Sequence, residues 1–83
     1  MSAATAKAGL GRLRWMCRRG MKELDVLLER WLGRHGPSAT AEDLARFEAL
    51  LQWQDPELVR YLIAGEIHSD PDLAALLQSI RGV

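Results

Sequence analysis

Apolar residues recur along the chain at helical spacing, and no stretch alternates as a strand would. The first set is Leu10, Leu13, Met16 and Cys17, on one face of a helix that should begin near Leu10 and close with Arg18 and Arg19. Cations suit the last turn of a helix, and Gly20 follows as a natural left-handed C′ residue. A second helix is predicted from Met21 to Leu32. It carries a stripe of Met21, Leu24, Leu27, Leu28, Trp31 and Leu32, with Lys22, Glu23, Asp25, Glu29 and Arg30 outward. The segment Gly33 to Ser38 is a loop by composition.

Thr40 should cap a third helix, with Asp43 as its capping-box partner and Leu44, Phe47, Leu50 and Leu51 facing inward. Two later segments share one start signal. Asp55-Pro56-Glu57-Leu58 and Asp70-Pro71-Asp72-Leu73 each read as N-cap, Pro at N1, an acid, then a core residue. One opens a fourth helix (Leu58, Val59, Tyr61, Leu62, Ile63) that stops at Gly65, the other a fifth (Leu73, Leu76, Leu77, Ile80). The predicted fold is all-α, a compact five-helix bundle over residues 9–83, preceded by a loose segment at residues 1–8.

A chain of 83 residues makes one small domain, which buries about 60% of its unfolded surface. Its composition is that of an ordinary globular protein. The single Cys17 excludes an internal disulfide and suits a reducing compartment. No run approaches the roughly 20 apolar residues of a membrane span. The first twenty residues are Arg-rich and free of acids, like a transit peptide. The conspicuous residues begin inside that stretch, so it is read as mature protein.

Net charge is zero but unevenly placed: residues 1–35 hold eight basic and three acidic residues, and residues 36–83 hold three basic and eight acidic. Such asymmetry fits a nucleic-acid binder, two halves that fold against each other, or steering toward a protein partner.

Catalytic chemistry finds no support. His35 and His68 lie in predicted loops without an acid or thiol at ligand spacing. Ser38, Ser69 and Ser79 lack a nucleophile-elbow context, and there is no Gly-rich phosphate loop. Glu23 and Asp25, two apart on a helix, diverge by about 200° and cannot act as a pair. Cys17 is expected to be a half-buried packing thiol rather than a reactive one. Of the tryptophans, Trp31 belongs to the core stripe, Trp15 falls off its helix's apolar face, and Trp53 is expected to be half exposed at a helix end.

What stands out is the junction of the first two helices. Arg18, Arg19, Lys22, Glu23 and Asp25 crowd around Gly20, more charge than helix termini require. The stretch Trp15-Met16-Cys17-Arg18-Arg19-Gly20-Met21-Lys22-Glu23-Leu24-Asp25 resembles the signature of the succinate dehydrogenase assembly factor family, the SdhE type that promotes covalent flavin attachment. The family's Arg-Gly-x-x-Glu corresponds to Arg19, Gly20 and Glu23. Phe47-Glu48-Ala49-Leu50-Leu51 and Asp55-Pro56-Glu57-Leu58 are similar to its second block, and the resemblance covers roughly residues 12–80. Tyr61 stands where family members usually carry tryptophan.

The resemblance implies a non-catalytic assembly factor. It would bind the flavoprotein subunit of succinate dehydrogenase, with fumarate reductase as a second client, and promote the bond between a histidine of that subunit and FAD. The partner would hold FAD, leaving this chain without a cofactor or metal of its own. Partner binding falls to Trp15, Arg18, Arg19, Gly20, Met21, Glu23 and Asp25. Gly20 would permit close approach. The arginines would meet carboxylates or flavin charge, and Glu23 would fix register. The protein is expected in the bacterial cytoplasm, monomeric when free, with no nucleic-acid partner and no membrane insertion. The alternative is an antitoxin-like or regulatory protein with a cytoskeletal or nucleic-acid partner.

Overall fold

A computed structural model describes residues 3–82, with side chains from Leu10 onward. It contains five α-helices: α1 (Ala3–Met16), α2 (Lys22–His35), α3 (Ala41–Leu51), α4 (Asp55–Leu58) and α5 (Pro71–Arg81). A 3-10 turn, Gly36–Ser38, follows α2, and α4 runs into a π-helical segment, Val59–Ile63. No strand occurs among the described residues. The expected loose segment at residues 1–8 lies partly outside the described residues. From Ala3 the backbone is already helical, as the good helix formers Ala3, Ala4, Ala6, Lys7 and Ala8 favour.

One core collects the inner faces. Leu13 and Cys17 meet Leu24, Leu28, Trp31 and Leu32 of α2, Phe47, Leu50 and Leu51 of α3, then Leu58, Leu62, Leu77 and Ile80. Trp31 stacks on Phe47 with ring centroids 4.6 Å apart, and its indole N–H donates to Ser79 Oγ at 3.0 Å. The largest core side chain thus satisfies its polar atom. Cys17 is 0% exposed, more buried than its helix-end position implied.

The start and stop signals divide. Thr40 Oγ1 accepts the Asp43 N–H, as its position predicts, but Asp43 does not return the bond and sits 3.6 Å from Arg46. Asp70 caps α5 by accepting from the N–H groups of Asp72 and Leu73. Asp55, in the same sequence context, does not cap: Gln54 is the N-cap of α4, and the Asp55 carboxylate is taken by Arg19. The Arg19 guanidinium brings a full opposite charge to the carboxylate, which a neutral backbone N–H does not.

Helix α2 continues past Leu32 through Gly33 to His35, whose ring lies 5.6 Å from that of Trp31 one turn earlier. Gly36, buried, then starts the 3-10 turn; a Cβ there would stand 3.1 Å from both Leu10 and Leu32 side chains. The glycine lets α1 close over the end of α2.

The charge asymmetry is used internally. Arg12–Glu48 and Arg19–Asp55 join the basic half to the acidic half, each at 2.8 Å. Arg30 donates to the Ile80 and Arg81 carbonyls at the end of α5, where helical acceptors lack partners.

Candidate functional site

The first helix ends earlier than charge suggests. α1 stops at Met16, where the Cys17 N–H is shared between the Leu13 and Arg14 carbonyls, and Arg18 and Arg19 lie in the connecting loop. The Arg18 N–H bonds the Trp15 carbonyl at 3.1 Å as a last turn, while the Arg19 N–H is directed to Asp25. Gly20 has φ +87°, the left-handed region, but it sits beyond the helix end and serves a different purpose. It turns the chain so that its own N–H (3.2 Å) and that of Arg19 (2.9 Å) both point at the carboxylate of Asp25. Asp25 therefore closes the loop from one turn into α2, while Met21, the N-cap, has an extended backbone and no side-chain cap. That backbone turns Met21 outward from the stripe it was expected to join, and it is exposed.

Arg19 points inward, with its side chain only 17% exposed. Its guanidinium donates to Asp55 Oδ1 at 2.8 Å, to the Leu51 carbonyl at 2.6 Å and to the Trp53 carbonyl at 2.7 Å. Leu51 ends α3 and Trp53 lies in the turn after it, so one planar group fastens the motif loop to the α3–α4 corner. The seven residues singled out in the sequence are thus brought to one junction and sorted. Arg19 and Asp25 are spent on the loop's own shape. Trp15, Arg18, Gly20, Met21 and Glu23 are left outward.

Trp15 is 74% exposed, and Arg18 makes only a long contact, 3.8 Å, to Glu29. A Cβ on Gly20 would meet nothing within 4 Å, so the glycine is required by its backbone angle and leaves the loop surface open. Glu23 and Lys22 are exposed on the first turn of α2, and no other described residue engages either side chain. Shallow depressions flank this turn. Gly20, Lys22, Asp25, Val26 and Glu29 line one; Lys22, Glu23, Val26, Leu27 and Ile63 line the other.

Periodicity missed the neighbour on that second side. Ile63 was expected only as one of the apolar residues of the fourth helix, but the Ala64 N–H bonds back to Val59, five residues away, so the segment turns as a π-helix and Ile63 is exposed. No local signal announces such a turn.

The remaining reactive residue types are occupied elsewhere. Burial pushes the Cys17 thiol up to about 12, which leaves it neutral and inert at physiological pH. His68 lies in a loop as expected, stacked on Trp53 and beside Tyr61, with Nδ1 accepting the Asp70 N–H. Trp53 is half-buried, as its place at a helix end predicts. No group of three His, Cys, Asp or Glu side chains able to hold a metal occurs among the described residues.

Comparison with known proteins places this junction in context. A family model described as "Flavinator of succinate dehydrogenase" matches residues 11–83. The protein of Shewanella oneidensis named "FAD assembly factor SdhE" is 40% identical over 73 residues, covering 88% of this chain and 89% of its own. Proteins of the same name from Colwellia psychrerythraea (40% over 74 residues; 89% and 81%) and Methylococcus capsulatus (41% over 73 residues; 88% and 88%) are similar to a like degree. No solved structure matches the chain.

Proposed function

This chain belongs to the family of succinate dehydrogenase flavinators, and from that membership we propose that it is the assembly factor for covalent flavin attachment to the succinate dehydrogenase flavoprotein. The observation carrying the reading is the division of the motif. Arg19 and Asp25 brace a loop on which Gly20, Met21 and Glu23 are presented outward, flanked by Trp15 and Arg18. A loop held by five hydrogen bonds and left exposed is preorganised for contact.

The proposed role is non-catalytic. FAD bound in the flavoprotein would supply the isoalloxazine methyl carbon, and the flavoprotein the histidine that becomes bonded to it. This chain's residues act on the flavoprotein's shape. Gly20 lets the two backbones approach, Glu23 sets the register through hydrogen bonds, and exposed Trp15 and Arg18 anchor the contact as such residues commonly do. Holding the client where histidine and flavin are aligned is a proximity effect. In this reading FAD belongs to the client, and this chain needs no cofactor of its own.

We further propose that the protein acts as a monomer beside its client in the bacterial cytoplasm, and that the fumarate reductase flavoprotein is a second client. No described helix is long and apolar enough to cross a membrane. The mixed charge of Lys22 and Glu23 at the exposed turn favours a protein partner over a nucleic acid.

The test is flavin fluorescence of the denatured succinate dehydrogenase flavoprotein from cells lacking this gene, restored with wild type or with Gly20→Arg. Covalent flavin should fall in the deletion and return with wild type alone. Undiminished covalent flavin in the deletion would overturn the proposal.

A further inference from the structure

The face beyond the motif carries a second feature, built by two elements distant in sequence. On α2, Val26 stands one turn after Lys22 and Glu23 and is 53% exposed. On the π-helical segment, Ile63 is 39% exposed, and the two residues line, with Leu27, Lys22 and Glu23, a notch of about 320 Å³. An α-helical continuation of α4 would close the hydrogen-bond ring one residue earlier. The wider turn, Ala64 N–H to the Val59 carbonyl at 2.9 Å, is what sets Ile63 beside Val26.

We propose that this notch is the specificity-determining subsite of the docking surface, and that it receives an apolar side chain of the flavoprotein flanked by a basic group that pairs with Glu23. The inference rests on the assembly-factor reading and goes beyond it, since neither Val26 nor Ile63 belongs to the motif. Three observations select this occupant. The notch is continuous with the motif, because Glu23 belongs to both. Its lining, three apolar side chains beside two charged ones, is that of a protein–protein contact. Its lining carries one charge of each sign, and among the described residues neither is paired, which suits a mixed-charge protein surface and not a polyanion.

The experiment is a binding titration of the full chain against the purified succinate dehydrogenase flavoprotein, with Val26→Asp, Ile63→Asp and Glu23→Ala, each checked by circular dichroism and thermal melting. Val26→Ile and Ile63→Leu serve as conservative partners. Both sites are exposed, so the aspartate variants should fold. Each should bind roughly tenfold or more weakly, and the conservative variants should bind within about twofold of wild type. Folded aspartate variants with wild-type affinity, alongside a weakened Glu23→Ala, would overturn the notch and leave the assembly-factor reading standing. Failure of wild type itself to bind would overturn both. Sedimentation showing that wild type self-associates and that Val26→Asp abolishes this would make the notch a self-interface and overturn the proposal.

Discussion

The guanidinium of Arg19 and the carboxylate of Asp55 meet at 2.8 Å across 36 positions of sequence, and this pair converts part of a surface motif into a brace. The same guanidinium accounts for two carbonyls, of Leu51 and Trp53, that the end of α3 would otherwise leave without partners. Arg19→Ala removes three bonds from a mostly buried group, and we expect a loss of about 2–4 kcal/mol in urea unfolding. Arg19→Lys, which lacks the fork, should recover only part of it. Asp55→Ala, at a more exposed carboxylate, should cost about 1 kcal/mol. Arg19→Ala melting like wild type would show that the brace is idle.

Asp25 and Gly20 form the second half of the brace. Removing the carboxylate in Asp25→Ala frees the Arg19 and Gly20 N–H groups and should cost about 1–2 kcal/mol. Gly20→Ala should cost about 1 kcal/mol although nothing crowds the position, because φ is +87°. Thermal melting checks both, at about 4–8 °C per kcal/mol for a domain of this size.

Cys17 gives a pH prediction of known sign. Burial raises its folded value to about 12 from an ordinary 9.0, so the fold prefers the neutral thiol. Stability is therefore unaffected below pH 9.0 and declines as pH climbs from there toward about 12, because the unfolded chain loses its thiol proton first. Cys17→Ala should lose about 1–2 kcal/mol at pH 7 to the cavity it leaves. The gap between wild type and the variant should narrow in urea unfolding above pH 9.0. At pH 8 a thiol reagent should modify wild type only as fast as the domain opens.

Two surface carboxyls titrate in the opposite sense. Hydrogen bonds from Arg12 and Arg60 hold Glu48 and Glu66 below the ordinary value of 4.5. The support they give is present above that value and lost as pH falls through the lowered ones. Arg12→Ala and Arg60→Ala should therefore differ from wild type at neutral pH and low salt and converge with it in strong acid. Both pairs are exposed, so the difference should also vanish in high salt.

These residues also show how much of the fold could be read beforehand. Helical periodicity located every helix and nearly the whole core, because a single small core forces each element to show one apolar face. Local caps were legible where they stayed local: Thr40 and Asp70 bond the N–H groups their positions predict. Asp55 has the same neighbours as Asp70 and a different partner, since a contact to Arg19 across 36 residues leaves no local trace. The motif was visible as surplus charge around Gly20. Sorting inward from outward within it required the third dimension. The register slip that exposes Ile63 was equally hidden, for a π-turn uses the same residues as an α-turn.

Within the motif Arg19 holds the loop, and the exposed Glu23 is the side chain proposed to meet the partner. A titration of Glu23→Ala against the purified succinate dehydrogenase flavoprotein, with its melting curve recorded on the same sample, tests that most directly. The expected result is a melting temperature within about 2 °C of wild type and affinity weaker by roughly tenfold. Unchanged affinity in a normally folded Glu23→Ala would contradict it.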